Sequence, residues 1–229
     1  MGVHDGHRAR VRERVLREGL EHLPPHNVLE ILLFFSIPRG DTNELAHRIL
    51  DHFGGSFEKV TQADIAELMS IPGVGESTAF LLKMIPQIAA FYQRSRLEPD
   101  ITLDSMESLR KYFLPLFYGK ATEEMHLILI DAALHPREDI LISRGSVNAT
   151  KVDLSRIAEE ALLRHATGVI LAHNHPRGVA KASTHDSTVT AEVKKALDTF
   201  DILLQDHVIV TEDEVCSMRF DHVGPFAFL

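Results

Sequence analysis

A short apolar run, Thr167-Gly-Val-Ile-Leu-Ala-His173, stops abruptly at Asn174-His175-Pro176-Arg-Gly178. The run is too short for an ordinary buried helix, follows a helical segment, and reads as a buried strand. Pro176 and Gly178 then force the chain into a loop at the strand's carboxyl end. Side chains alternate along a strand, so His173 and His175 project to the same side. Ser183 and Asp186 follow, completing the spacing His-x-His-x7-Ser-x2-Asp. Two imidazoles and one carboxylate, His173, His175 and Asp186, make a three-ligand zinc set with an open fourth position, as catalytic rather than structural sites have. A metal-dependent hydrolase is the leading reading. The His pair alone is weak, because a chain with 14 His holds about one His-x-His by chance; the full spacing is far more restrictive.

Composition removes several alternatives. A single cysteine, Cys216, excludes an intrachain disulfide framework and a cysteine-based zinc cage. No apolar run approaches the ~20 residues of a membrane span. The opening residues, MGVHDGHRARVRERV, carry charge with no apolar stretch behind them and do not form a secretion signal. A soluble, cytoplasmic protein with no membrane contact is expected. The net charge of -9, from 33 acidic and 24 basic residues, argues against a nucleic-acid binder that uses its whole surface. Arg8, Arg10, Arg12 and Arg14 form a local exception, read as the solvated basic face of an amphipathic first helix.

The chain changes character near residue 97. Before it, 7–21, 25–35, 43–53, 62–69 and 77–92 carry apolar residues at helical spacing. Pro24-Pro25, Pro38-Arg-Gly, Gly54-Gly55 and Ile71-Pro-Gly-Val-Gly interrupt them. The polar stretch Arg94-Ser-Arg-Leu-Glu-Pro-Asp reads as a linker. After it, helices are expected at 105–118, 154–165 and 184–200, with strands at 123–131, 139–145, 168–172 and 203–210. Strands mixed with helices predict an α/β (α+β) fold. Two domains follow: 1–97, all helical, and 98–229, a mixed sheet flanked by helices.

Within the first domain, Leu68-Met-Ser-Ile-Pro-Gly-Val-Gly-Glu-Ser-Thr-Ala-Phe has the form of a helix-hairpin-helix. Gly73 and Gly75 make the tight turn, and the small Ala79 permits close helix packing. In such motifs the hairpin's backbone N–H groups face a DNA phosphate. Glu76 lies in the hairpin and Lys83 is the nearby basic residue, so a packing corner or a protein contact is the competing reading.

Together these motifs resemble the RadC family, historically labelled as DNA-repair proteins. The pieces that carry the resemblance are Gly73-Val-Gly75, His173-Asn-His175-Pro, Ser183-x-x-Asp186 and Asp206-His207-Val-Ile-Val. It spans nearly the whole chain and implies a helix-hairpin-helix region followed by a JAB/MPN domain with the JAMM zinc signature. Related JAB/MPN proteins include zinc isopeptidases, so a Zn2+ cofactor and a peptide or protein substrate are implied. JAMM sites also use a glutamate base from an earlier strand. Glu123 and Glu124 both open the strand leading to Asp131; alternation sends them to opposite faces, and the family pattern favours Glu123. The resemblance makes Ser183 a hydrogen-bond donor to the developing oxyanion. Ser183-Thr-His-Asp186 also has capping-box spacing, which competes with metal binding by Asp186.

The chain departs from the family pattern at Arg177 and Ala182, where a small serine and a proline are usual; Arg177 adds bulk and positive charge at the mouth of the site. His207 reads as a satisfied core histidine or a partner of a metal ligand. His126 is expected half-buried and His185 outward-facing. The alternative to a hydrolase is a DNA- or protein-binding module with a JAB fold and no turnover. An HNH nuclease is suggested only by the letters of His-Asn-His, and a structural zinc site would need a fourth protein ligand.

Overall fold

The structure, a computed structural model, describes residues 3–145 and 153–227, with side chains from residue 6. The chain divides into two compact units, Met1–Ile88 and Ala89–Leu229. The division falls within helix α6 (Glu76–Ser95), ahead of the expected boundary at 97/98. Arg94 and Ser95 form the last turn of that helix rather than a linker. The outer limits of the expected domains, residues 1 and 229, lie outside the described residues.

The first unit is helical: α1 (Val3–Glu18), α2 (Pro25–Ser36), α3 (Asn43–His52), α4 (Phe57–Gln62), α5 (Ile65–Ser70) and the first part of α6. Pro25 starts α2, where its missing N–H costs nothing. Gly54 and Gly55, both at positive φ, end α3. The helix expected over 62–69 forms as α5, starting three residues later, and α4 before it was not expected. Ser56 caps α4 by accepting from Lys59 N, and Ala63 adopts an extended backbone that breaks the chain before α5. Leu29, Leu33, Ile49, Val60, Leu68 and Leu82 build the core. Arg8 is not part of a solvated face. Its guanidinium donates to the carbonyls of Pro38 and Gly40 at 3.0 and 2.9 Å and lies over the Phe34 ring. Nearby, the buried Glu30 carboxylate is held by His7, Asn27 and Asn43. Between α5 and α6 the chain turns through Ile71–Gly75. Gly73 has φ +97, and a Cβ there would lie 3.1 Å from Leu45, so conformation and space both favour glycine.

The second unit contains α7 (Met106–Phe117), β1 (Glu124–Ile130), β2 (Pro136–Arg144), α8 (Leu154–Leu163), β3 (Gly168–Asn174), α9 (Thr184–Asp198), β4 (Leu203–Val210) and β5 (Val215–Ser217). The sheet order is β2-β1-β3-β4-β5; β3 and β4 run parallel and the other neighbours antiparallel. Parallel neighbours need a crossover, and α9 supplies it. Strand β3 is buried at every position, as its unbroken apolar run requires. Register places Leu127, Leu171 and His207 side by side. Leu127 and Leu171 pack with Ile157 of α8 and Val193 of α9. The opposite face, with Ile128, Ile170 and Val208, packs on Phe113 and Leu116 of α7. The fold is mixed α/β.

Strand β5 was not expected, because three residues carry no readable period. It is held by buried Asp206, whose carboxylate accepts from Ser217 Oγ at 2.5 Å, Arg219 N at 2.9 Å and His207 N at 2.7 Å. Burial pushes the Asp206 carboxyl up to about 6 despite these donors. The folded chain therefore holds this proton more tightly than the unfolded chain, whose aspartates titrate near ~4. The group's contribution to stability is complete below the unfolded value and is lost as pH rises through the folded one. Urea unfolding of wild type and Asp206→Asn at pH 4 and pH 7 should show the difference moving by about 2 kcal/mol in favour of the variant at the higher pH. A pH-independent difference would show that Asp206 titrates as an ordinary carboxyl.

Candidate metal centre

Strand β3 places the two histidines. His173 is buried within the strand and His175 follows its end, still paired to β4 through its N–H to the Val210 carbonyl at 2.7 Å. Both rings turn to the α8/α9 side, with Nε2 atoms 2.9 Å apart. His175 Nδ1 lies 3.1 Å from the Val179 carbonyl. A carbonyl can only accept, so Nδ1 carries a proton and Nε2 is the nitrogen turned to the cluster.

Glu123 arrives from the neighbouring strand. It immediately precedes β1, and its carbonyl accepts from Gly145 N at 2.9 Å. Met125, two residues on, pairs with His173, so alternation sends Glu123 towards the same face. Ligand atoms of Glu123, His173 and His175 all lie within 4.8 Å of one another. Glu124 belongs to a separate network: its buried carboxylate meets Lys120 at 2.6 Å, Arg144 at 2.7 Å and His126 at 3.0 Å. Burial raises its pKa, but these partners outweigh that and lower it.

Asp186 approaches from the first turn of α9. Its Oδ1 lies 3.3 Å from His173 Nε2. Its Oδ2 accepts from Ser183 N at 2.7 Å and Ser183 Oγ at 2.6 Å, while Asp186 N donates to Ser183 Oγ. One carboxylate oxygen therefore closes the capping box while the other faces the imidazole. Burial would raise the Asp186 pKa, yet the bonds from His173 and Ser183 hold it well below the usual carboxylate range.

Two supporting residues, Asn174 and His126, escaped or shifted from the sequence reading, and a third, His207, is the satisfied core histidine it was read to be. Asn174 lies between the histidines and faces the other side of the strand. Its Oδ1 accepts from Glu124 N at 2.7 Å and its Nδ2 donates to the Thr122 carbonyl at 3.1 Å. It thus clamps the backbone on both sides of Glu123; the alternation of side chains was the available signal. His126 is buried rather than half-buried, between Glu124 and Asp139, because the adjoining carboxylates satisfy its ring. His207 is fully buried, with Nε2 2.8 Å from His173 Nδ1 and Nδ1 2.6 Å from Thr190 Oγ1. Burial, then the neighbouring His173, lowers its pKa well below the ordinary histidine value. His185 and Arg177 are exposed, and Ala182 packs partly against the core.

Two imidazoles with carboxylates beside them, one imidazole already held by a backbone carbonyl, are a donor set that fits a metal ion. The fold around it is that of a JAB domain: a RadC-like JAB domain model matches residues 103–223, and a UPF0758 N-terminal model matches 6–80. A UPF0758 protein of Ruegeria pomeroyi is 33% identical over 218 residues, covering 93% of this chain and 95% of the relative. Another, of Rhodobacter capsulatus, is 33% identical over 214 residues, covering 91% and 97%. A third, of Coprothermobacter proteolyticus, is 33% identical over 213 residues, covering 91% and 90%. The chain belongs to the RadC (UPF0758) family.

Truncating the clamp leaves Glu124 N and the Thr122 carbonyl without their Asn174 partner. Asn174→Ala should lower the unfolding free energy by about 2 kcal/mol, read by urea denaturation. A change below roughly 0.5 kcal/mol would mean that water replaces the amide without loss.

Proposed function

We propose that this protein is a zinc-dependent hydrolase of JAMM type that cleaves a peptide or isopeptide amide. The observation that carries the reading is the convergence of Glu123, His173 and His175 within 4.8 Å at the end of one buried strand. His173, His175 and Asp186 would hold the ion, which suits zinc because the donors are imidazole and carboxylate with no thiolate. When bound, zinc supplies a Lewis acid that polarises the substrate carbonyl and makes water nucleophilic near neutral pH.

The protein's own residues do the remaining work. Glu123 accepts the proton of the attacking water and returns it to the departing amine, which must leave protonated. Ser183, exposed before α9, donates to the developing oxyanion by exchanging its Asp186 acceptor for the substrate oxygen. Arg177, at the mouth of the site, favours an acidic group on the substrate near the scissile bond. A DNA phosphate contact at the Gly73–Gly75 hairpin is a second reading, favoured by the left-handed Gly73 that turns α5 into α6 and opposed by Glu76.

Elemental analysis of protein prepared without added metal should give about one zinc per chain in wild type, as a single catalytic site requires, and none in His175→Ala. Glu123→Gln should keep its zinc yet lose amide cleavage by about 100-fold or more, in a screen of peptide and isopeptide substrates. Wild type that neither carries zinc nor takes it up on reconstitution would overturn the hydrolase reading.

A further inference from the structure

We infer that Thr190 is a positioning residue which, acting through His207, keeps a proton on His173 Nδ1 and so leaves Nε2 as the nitrogen turned to the metal cluster. The inference rests on the reading of that cluster as a metal centre. It starts four residues beyond Asp186 on α9, where the Thr190 hydroxyl has three polar neighbours. They are the Asp186 carbonyl oxygen at 2.5 Å, His207 Nδ1 at 2.6 Å and Met218 Sδ at 3.4 Å.

The hydroxyl has one proton, and hydrogen-bonding rules direct it. A carbonyl oxygen has no proton to give, so at 2.5 Å it must receive the one from Thr190. The thioether of Met218 is a weak acceptor and lies farther away. With its proton committed, Thr190 Oγ1 meets His207 only with lone pairs, so His207 Nδ1 carries a proton and donates it. His207 has no measurable exposure, and a buried ring without a facing carboxylate keeps a single proton. Its Nε2 is then an acceptor, 2.8 Å from His173 Nδ1. His173 in turn donates from Nδ1, so Nε2 is the nitrogen directed at His175 Nε2 and Asp186 Oδ1 and the one a metal ion would take.

Both histidines therefore carry a proton on Nδ1 and turn Nε2 to the cluster, by different means. His175 is set by the Val179 backbone carbonyl, whereas His173, buried in mid-strand, is set by a side-chain relay ending on a helix carbonyl. Asp186 serves at both ends: its carboxylate faces His173 and its own carbonyl oxygen orients Thr190. Ligand histidines are commonly tuned through the other ring nitrogen, and losing such support weakens metal binding about 10- to 100-fold.

The test is imidazole 15N NMR on chelator-treated wild type, Thr190→Val and Thr190→Ser, with apparent zinc affinity measured by chelator competition. Wild type should show Nδ1–H tautomers at both His207 and His173. Thr190→Val keeps the shape of the side chain but should shift His207 towards the Nε2–H form and weaken zinc binding about 10-fold or more. Thr190→Ser should restore the wild-type tautomers and bring affinity back to within about 3-fold. An Nε2–H tautomer at His207 in wild type, or unchanged tautomers in folded Thr190→Val, would overturn the inference. If Thr190→Val does not fold, the wild-type and Thr190→Ser spectra decide it. Wild type with both tautomers present but no zinc uptake would sustain the relay and sink the hydrolase reading.

Discussion

The second unit depends on the burial of strand β3 between two hydrogen-bonded neighbours, antiparallel β1 and parallel β4. A central strand covered on both faces must be apolar on both, and Gly168-Val-Ile-Leu-Ala satisfies this without a polar residue until His173. The cost of burying an imidazole is offset only where its nitrogens find partners, and His173 finds them in His207, His175 and Asp186. Every buried side-chain polar atom among the described residues has a partner. A site placed at the end of such a strand inherits its rigidity, because the ligand backbone is anchored by ladder bonds on both sides.

Two networks of charge flank this strand and stay apart because side chains alternate. On the α7 face, Glu124 joins Lys120, Arg144 and His126 in a fully compensated cluster. On the α8/α9 face, Glu123 joins the histidine pair. Adjacent glutamates therefore have opposite environments: one is neutralised by cations, the other lies beside two imidazoles in a group that could hold a metal ion. Asn174 connects the two arrangements, since its amide fixes the backbone that presents both. The middle letter of His-Asn-His thus clamps backbone, while the outer two turn to the candidate metal centre.

Helix α9 is the other organising element. Its capping box orders the first turn, and the same Asp186 that closes the box directs its second oxygen to His173. One turn later Thr190 reaches back to the Asp186 carbonyl and across to His207. The crossover that makes β3 and β4 parallel therefore also brings Asp186, its capping box and Thr190 to one place.

Much of this was legible in the sequence because local patterns carry it. The length of the apolar runs, the helical spacing of the first unit, the glycine turn before α6 and the spacing from His173 to Asp186 all depend on near neighbours along the chain. The six-residue α4 and the three-residue β5 carry too little pattern to be read. What only the tertiary structure decided is which distant groups meet: Glu123 beside His173 across two strands, Asn174 across to Thr122, and Thr190 against His207. Those meetings follow from strand register and from the angle at which α9 packs on the sheet. Periodicity fixes the face on which a side chain emerges; the side chain opposite it is set by pairing between segments that no local spacing encodes.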